Sequence, residues 1–432
     1  MSDTHSNTVA YVRDTMLPQT EPPLTEKGAL KWLRENLFSG WLNTGLTLIA
    51  LFIIWQALMA VGPWLLNSVW NAGSLRECRD ILDGATGACF AVIVDRWHQL
   101  LFGFYPRHLY WRPVLALVLL FVALSPVLFP SLPRRLLTFT AIYPFLAYHL
   151  LWGGSVWLPI GAALGFVVGA LAYIGLKRVN NLLAVFGAVL APVLWWLVLA
   201  GPFDSTMSAV LPWGLEFVRS DRFGGFLISL VIGISGISLS LPLGILLALG
   251  RQSDMIFIKS VCVVFIEFIR GVPLITLLFT ASLLLNFFLP PGTSFDLILR
   301  VIIMVTLFAS AYMAEVVRGG LAALPKGQYE AADALGLDYW KAQRLIIMPQ
   351  ALKISIPGIV NTFIGLFKDT TLVVFIGLLD PIGLSNAIRA STDWNGIYWE
   401  LFIFIGLLFF IFCFGMSRYS LYLERKLKRD HR

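Results

Sequence analysis

RGGLAALPKGQYEAADALGLDYWKAQRLIIMPQALKIS, residues 318–355, is a polar island between two long apolar runs near the C-terminal end of the chain. Because most of the surrounding sequence is compatible with hydrocarbon, a segment this long and this basic must lie outside a membrane. Its Ala-rich stretch, residues 330–335, favours a short helix, and Gly336 favours the end of that helix. The island therefore predicts a compact protrusion of small residues, suited to a groove on another protein.

The composition of the chain is that of an integral membrane protein. Of its 432 residues, 58% are hydrophobic and 13% are charged, whereas a soluble domain carries about 25% charged residues. Apolar runs of about 18 residues or more recur along the sequence, and such runs cross the hydrocarbon as helices. We therefore expect an all-α fold, a polytopic transmembrane helical bundle rather than a barrel.

The net charge of +7 does not indicate a nucleic-acid partner, because the positive residues flank the apolar runs as they do in cytoplasmic loops. Threading the apolar runs through a membrane, with the positively charged loops inside, puts both termini and the 318–355 island on the cytoplasmic side. Hydropathy predicts about ten spans, at 41–63, 113–130, 136–152, 158–176, 182–200, 225–249, 261–287, 297–317, 357–378 and 397–418.

One long segment, 64–112, falls on the periplasmic side although it carries five arginines. Long loops follow the positive-inside rule poorly, so we keep the segment on the periplasmic side. Its part 91–110 mixes apolar, aromatic and charged residues, which is typical of a helix lying along the bilayer surface. Cys78 and Cys89 share the segment, where a disulfide could persist. No spacing rule supports that pairing, so two unpaired thiols are the favoured expectation.

The chain divides into three parts. Residues 1–40 form a polar cytoplasmic tail, residues 41–204 an extension of five spans without a recognisable motif, and residues 205–432 carry every motif found. The phosphate loop GxxxxGK[ST] and the catalytic patterns GxSxG and HExxH are absent from the sequence. We therefore expect no enzyme, no cofactor and no metal site, with any ATP hydrolysis on another polypeptide.

The local sequence of the island predicts how it folds. Residues 325–327, Pro-Lys-Gly, break the chain, and Glu330 is expected to open a helix whose positive end its charge favours. Asp338 can cap a second helix, 339–348, which is expected to end at Pro349. The same pattern fits an amphipathic helical hairpin resting on the membrane, and the local residues alone do not separate the two interpretations.

The spacing of the island resembles a known family. Residues 330–332 (EAA), then Gly336, then residues 346–349 (IIMP) resemble the EAA loop of the membrane subunits of bacterial ABC importers. In that family the loop docks into the ATPase subunit, and a leucine usually stands where this chain has Met348, a volume-conserving change. The residues that the resemblance assigns to ATPase coupling are Glu330, Ala331, Ala332, Gly336 and Pro349.

Three further segments support the resemblance. Residues 266–274 (IEFIRGVPL) are similar to the ExxRGTPL signature of the polar amino acid importers, with Val272 in place of threonine. Residues 312–320 (YMAEVVRGG) and 366–372 (LFKDTTL) match two more segments of that subfamily. The resemblance therefore points to the importers of polar amino acids within the wider family.

The N-terminal part, with residues 102–106 (FGFYP) and 111–113 (WRP), is similar to the membrane subunits of the general L-amino-acid uptake systems. The resemblance implies that residues 205–432 form the five-helix core of a type I ABC importer. It also implies three partners: a dimer of cytoplasmic ATP-binding subunits, a second permease subunit, and a periplasmic amino acid-binding protein. For the second permease subunit, a homologous chain is favoured over a second copy of this chain, and both interpretations stay open.

Two charged pairs lie near the ends of predicted spans. Glu267 and Arg270 are three residues apart, as are Glu315 and Arg318, so each pair shares one helix face. An ionisable residue in a span marks a functional site by default. We nevertheless expect each pair to neutralise itself while closing a helix end, in preference to touching a ligand.

Lys368 and Asp369 fall near the middle of the predicted span 357–378, where ionisable residues are costly. Being adjacent, they cannot face each other on a helix, and Asn361 faces roughly the same way as Lys368. Contact with a substrate in the translocation path and a buried salt bridge between helices are both open interpretations.

We therefore expect the chain to be the permease subunit of an ABC importer that moves L-amino acids across the bacterial inner membrane. The alternative is a self-sufficient channel or an ion-coupled carrier. That alternative calls for ionisable residues at mid-span positions of several helices, whereas the sequence concentrates them in one.

Overall fold

A computed structural model describes residues 28–284 and 295–429, and these residues are predominantly helical. Within them, two strands of two residues each, β1 Gly154–Ser155 and β2 Gly214–Leu215, pair antiparallel. The all-α class predicted from composition is confirmed. Residues 1–27 of the predicted tail and 285–287 of the predicted seventh span lie outside the described residues.

The helices of the N-terminal half form hairpins and short connecting elements. A π-turn, Trp195–Leu199, joins α8 to α9, so that Asn181–Val210 runs as one apolar element, longer than the predicted span 182–200. The bounds are α1 Gly28–Asn36, α2 Trp41–Leu66, α3 Leu75–Leu82, α4 Ala91–Phe102, α5 Trp111–Leu128, α6 Leu136–Trp152, α7 Trp157–Lys177, α8 Asn181–Leu194 and α9 Ala200–Val210.

The helices of the C-terminal half include the longest ones, and the polar island falls among them as two short helices. The bounds are α10 Gly225–Arg251, α11 Ile256–Gly271, α12 Leu274–Phe279, α13 Leu297–Ala322, α14 Lys326–Ala334, α15 Tyr339–Ala342, α16 Met348–Asp369, α17 Pro381–Arg389 and α18 Trp399–Arg429.

Eight helices among the described residues are long and apolar enough to cross a membrane, against ten predicted spans. The two remaining predictions fall on other elements. Helix α6 coincides with the predicted span 136–152 but has 17 residues, which at about 1.5 Å per residue reach about 25 Å of a hydrocarbon core of about 30 Å. The predicted span 261–287 is bent.

The bend lies between α11 and the segment Leu274–Leu284, which meet at an angle of 103°. Pro273 explains it, because a proline has no backbone N–H and disfavours helical geometry in the residue before it. Val272 is accordingly extended, with φ −103° and ψ 131°. The prediction of one continuous span over 261–287 is therefore wrong.

Pro349 has the opposite effect to the one predicted. A helical element of 38 residues runs through it, Tyr339–Ile376, so Pro349 does not end a helix and the predicted span 357–378 starts too late. A π-turn, Gln343–Ile347, directly precedes α16. Its wider turn accommodates a proline ring that would clash with a regular α-helical carbonyl.

The described chain forms two compact units. In the first, residues 28–69 and 79–88, the apolar helix α2 has no buried residue, and the N–H of Ala88 donates to the carbonyl of Trp64. The second unit holds residues 70–78 and 89–429, so the predicted boundary near residue 205 lies inside it. The functional division at that residue stays a prediction.

The core of the second unit is built on the contact between α10 and α13, which is the most extensive helix pair. Glycines permit the close approach. A Cβ atom added to Gly244 would lie 2.6 Å from the Cβ of Met313, and one added to Gly236 would lie 3.0 Å from Val305 Cγ1. Small residues at such crossings are how helices pack closely in a membrane.

The segment 91–110, predicted to lie along the bilayer, packs against other helices of the protein. Its helix α4 contacts α10, α17 and α18 and buries Val92 and Leu100. Trp394 Nε1 donates to Asp95 Oδ2 at 2.9 Å. The position of this helix along the bilayer surface stays a prediction.

Cys78 and Cys89 form a disulfide, so the expectation of two unpaired thiols is wrong. The chain reverses between α3 and α4 and brings the Cα atoms of the two cysteines to 6.0 Å from each other. The spacing of the cysteines along the sequence does not reveal this proximity. The N–H of Cys89 also donates to Glu400 Oε1 at 2.9 Å. Cys262 and Cys413 are free.

The double substitution Cys78→Ser/Cys89→Ser tests this bond. The disulfide closes a loop across 11 residues, so its loss should reduce the free energy of unfolding by about 3 kcal/mol and lower the thermal midpoint of the purified protein. Cys262→Ser, which removes a free thiol, is the control and should leave the midpoint unchanged. Wild-type protein that is denatured without reduction should show two reactive thiols. Four reactive thiols under the same conditions would contradict the disulfide.

Candidate functional site

The polar island folds into α14 and α15, which together form a protrusion between α13 and α16. Gly336 ends α14 with φ +69°, and its N–H donates to the carbonyl of Asp333 at 2.9 Å, which is the left-handed helix end that the sequence predicts. Asp338 caps α15 by accepting the N–H of Lys341 at 3.0 Å, also as predicted. The protrusion is therefore two helices joined by a tight turn.

Glu330 does not open a helix. Helix α14 begins at Lys326, so Glu330 lies in its second turn, away from the positive helix end. Glu330 and Ala331 are exposed, whereas Ala332 is 1% exposed and packs inward. The outer face of the protrusion therefore presents only part of the EAA stretch.

Large apolar side chains are exposed on the protrusion and on the turn that follows it. Apolar surface exposed on a polar segment indicates contact with another protein or with a membrane surface, and the helical hairpin offers this surface outward rather than to its own core. The side chains are Leu335, Tyr339, Trp340 and Leu345, which are 71%, 53%, 66% and 62% exposed.

The protrusion is fastened to the spans behind it. Gln350 Nε2, in α16, donates to Gln328 Oε1 of α14 at 2.9 Å and to the carbonyl of Ile346 at 3.0 Å. Leu324 and Ile347 belong to one buried apolar cluster with side chains of α10 and α13. The protrusion is therefore held against α13 and α16 and is not a loose loop.

Five charged side chains meet beside the protrusion, at the ends of α10, α11 and α13. Arg251 Nη1 lies 2.9 Å from Glu267 Oε1 and 2.8 Å from Glu315 Oε1. Arg318 Nη2 lies 2.9 Å from Glu315 Oε2, and Arg270 Nη1 lies 3.6 Å from the same oxygen. We call these five residues the charge cluster.

The charge cluster corrects one of the two predicted pairs. Glu315 and Arg318 do pair with each other, but Glu267 pairs with Arg251 of another helix and not with Arg270. The Glu315 side chain, 16% exposed, contacts three arginines. The cluster thus ties three helix ends together through one carboxylate, with one net positive charge.

Comparison with known proteins assigns the chain to a family. A family model described as the inner membrane component of binding-protein-dependent transport systems matches residues 240–429, which include the protrusion and the charge cluster. The glutamate/glutamine/aspartate/asparagine transport system permease protein BztC of Rhodobacter capsulatus is 60% identical over the whole of both chains. The chain belongs to this permease family.

Two further matches extend the comparison of the permease. The inner membrane amino-acid ABC transporter permease protein YhdY of Escherichia coli K12 is 39% identical over 92% of this chain and 93% of its own. The chain is also similar to a solved structure described as the crystal structure of an amino acid ABC transporter with histidines. The match covers 46% of this chain and 91% of the chain in that structure, with 30% sequence identity and a TM-score of 0.41.

In the permease, Lys368 and Asp369 lie at the end of α16 and not near the middle of a span as predicted, because the helix starts earlier than hydropathy indicates. Lys368 is exposed and Asp369 is half-buried, and Asn361 is exposed two turns before Lys368. Within the described residues neither Lys368 nor Asp369 makes a salt bridge to another helix. The interpretation as a buried brace is therefore not supported.

Sequence reasoning missed two charged residues of the permease. In the sequence, Arg251 looks like any positive residue at the end of a helix. Its position in the charge cluster follows only from its contacts with Glu267 and Glu315. Asp380 is completely buried: its Oδ1 accepts the N–H of Gly383 at 2.8 Å, and its Oδ2 has no partner in the described part of the chain. The Asp-Pro dipeptide at 380–381, a helix-start signal, could have revealed it.

Asp380 should make the stability of the permease depend on pH. Burial raises its pKa from 3.8 to about 6, so the folded state holds this proton more tightly than the unfolded state. Stability is then lost as pH rises from about 4 to about 6, by about 3 kcal/mol in total, and the loss is complete at neutral pH.

Asp380→Asn keeps a helix cap without the charge. Its thermal midpoint should exceed that of the wild type by more at pH 7.5 than at pH 4.5, measured by intrinsic fluorescence of detergent-solubilised protein. The exposed Asp254→Asn is the control and should show no such difference. An equal shift at both pH values would contradict the raised pKa.

The charge cluster should behave as one unit. Arg251→Gln leaves two carboxylates short of a donor, and Glu267→Gln removes one of them, so the double variant should be destabilised by less than the sum of the single changes. We expect a coupling free energy of about 1 kcal/mol from thermal unfolding. Additive effects would show that Arg251 and Glu267 act independently.

Proposed function

We propose that the chain is the permease subunit of an ATP-binding-cassette importer that moves L-amino acids across the bacterial inner membrane. The observation that carries the proposal is the similarity to BztC, which extends over the whole of both chains at 60% identity. The name of that relative states transport of glutamate, glutamine, aspartate and asparagine. We infer the same substrates here: acidic amino acids and their amides.

ATP hydrolysis takes place on a dimer of separate cytoplasmic subunits, each of which receives one protrusion. The exposed face of Glu330 and Ala331 and the apolar side chains of Leu335 and Trp340 support this docking. The bond between Gln350 and Gln328 supports transmission to the spans, because it leaves α14 little freedom to move alone.

The assembly contains two permease subunits related by a pseudo-two-fold axis, and the second is a homologous chain rather than a copy. Both termini and the protrusion are cytoplasmic. The disulfide at Cys78 and Cys89 supports a periplasmic position for the opposite end of the bundle, because disulfides persist in oxidising compartments. A periplasmic amino acid-binding protein delivers the substrate there.

The translocation path runs along the exposed side of α16. Asn361, Lys368 and Asp369 lie on this helix, and an amino acid carries both charge signs, which a polar path with a cation and a carboxylate can balance. The positive charge of Lys368 suits the side-chain carboxylate of glutamate or aspartate.

Gly336→Arg tests the coupling. Gly336 has φ +69° and open space around it, so an arginine there strains the turn and obstructs the groove that receives the protrusion. We expect loss of ATPase co-purification and of substrate-dependent uptake by cells, because ATP binding on the partner then no longer moves the spans.

The matched control is Gly396→Arg, since Gly396 also has positive φ, +86°, and open space around it but lies far along the chain from the protrusion. This variant should keep the ATPase bound. An attached ATPase and unchanged uptake in Gly336→Arg would refute the coupling role, and uptake by liposomes that contain the chain alone would favour a self-sufficient carrier.

A further inference from the structure

A large cavity separates the hairpin of α5 and α6 from the core helices α10 and α13. Its volume is about 720 Å³, and most of its lining is apolar, with alanine and leucine side chains of α5 facing leucine, valine and isoleucine side chains of α10. Helices α5 and α6 pack mainly against each other, as do α10 and α13. The side chains of residues 28–284 and 295–429 leave this volume between the two pairs unfilled.

The length of the cavity is close to one half of the thickness of a membrane's hydrocarbon core. Its lining extends along α10 from Leu227 to Leu239 and along α5 from Pro113 to Leu124. About twelve residues of helix rise about 18 Å, close to the depth of one leaflet in a hydrocarbon core of about 30 Å. An acyl chain that enters from one membrane surface therefore matches the cavity in length.

A second cavity of about 450 Å³ continues from the first at the end of the bundle where α10 and α13 begin. Four residues line both cavities: Phe217, Ser220, Asp296 and Ile298. The second cavity adds the charged residues Arg219 and Asp221, whose side chains lie 3.0 Å apart and are exposed. Charges of both signs thus stand at the mouth of an apolar space.

We propose that the two cavities together bind one phospholipid with a zwitterionic, amine-bearing headgroup, of which phosphatidylethanolamine is the type. An acyl chain lies between the α5–α6 hairpin and α10. The phosphate lies near Arg219, and the ammonium group near Asp221 and Asp296. This site goes beyond the proposed transport function, because it contains no residue of the protrusion, the charge cluster or the translocation path.

The charges at the mouth select the headgroup. One arginine and two carboxylates line it, so a headgroup with net negative charge meets an excess of carboxylates, while a zwitterion meets both signs. A free amino acid is also zwitterionic but leaves the apolar cavity empty. A phospholipid supplies the dispersion contacts that an empty cavity forfeits.

The lipid also gives the extension a structural role. Ala116 and Leu151 of the α5–α6 hairpin share one buried cluster with Leu227 of α10, and an acyl chain in the cavity extends this contact between the two helix pairs. We expect its removal to loosen the hairpin while α10 and α13 stay packed.

The test uses the full chain, purified in detergent and exchanged into nanodiscs of equal parts palmitoyl-oleoyl phosphatidylethanolamine and phosphatidylglycerol. Native mass spectrometry after release from the disc counts retained lipids by headgroup. We expect one retained phosphatidylethanolamine per chain, in preference to phosphatidylglycerol by roughly tenfold.

Two matched pairs of variants locate the site. Ala147 lines the cavity and Ala141 lies on the same helix, exposed and outside the lining, so Ala147→Trp should abolish retention and Ala141→Trp should preserve it. Arg219→Gln should weaken retention roughly tenfold, whereas Arg222→Gln, exposed three residues further on, should not. Ser238→Trp, on the opposite wall, replaces Ala147→Trp if circular dichroism shows that variant to be unfolded.

Three outcomes overturn the proposal. One is no retained lipid. Another is equal retention of both headgroups, which is the behaviour of lipid that only surrounds the protein. The third is retention that survives Ala147→Trp and Ser238→Trp in folded protein. Loss of ATPase coupling has no bearing on these outcomes, so the two proposals fail separately.

Discussion

The close approach of α10 to α13 is the contact on which the rest of the second unit depends. Helices inside a bilayer gain nothing from expelling water, so they associate by packing and by a few polar bonds. Gly236 and Gly244 remove the side chains that would hold the two backbones apart. The pairing of the two helices fixes the positions of their ends relative to each other. Those ends carry residues of the charge cluster and the start of the protrusion.

The protrusion and the charge cluster lie next to each other for a mechanical reason. Helix α13 contributes Glu315 and Arg318 to the cluster and then leads directly into α14. Helix α14 is thus joined to α13 close to the carboxylate that links three helices. The tight turn at Gly336 and the amide pair of Gln328 and Gln350 hold the protrusion against the spans.

Composition and hydropathy predicted the helical class, most of the spans and the turn at Gly336, because those features follow from local chemistry. Pro273 and Pro349 show that the local sequence does not determine how a proline affects a helix. Both prolines predict a break in a helix, yet the chain bends sharply at Pro273, whereas Pro349 lies inside a continuous helical element behind a π-turn. The pairing of Glu267 with Arg251 and the bond of Cys78 to Cys89 both join parts that only the fold brings together.

The sharp bend after α11 bears on how the chain enters the membrane during synthesis. Helix α11 has 16 residues, and the arm beyond Pro273 is a six-residue helix followed by a five-residue π-turn. An independent insertion signal needs about 20 apolar residues. Among the described residues neither arm reaches that length by itself, and the two arms pass the length and hydropathy criteria for a span only together. We therefore expect insertion of this region to require both arms.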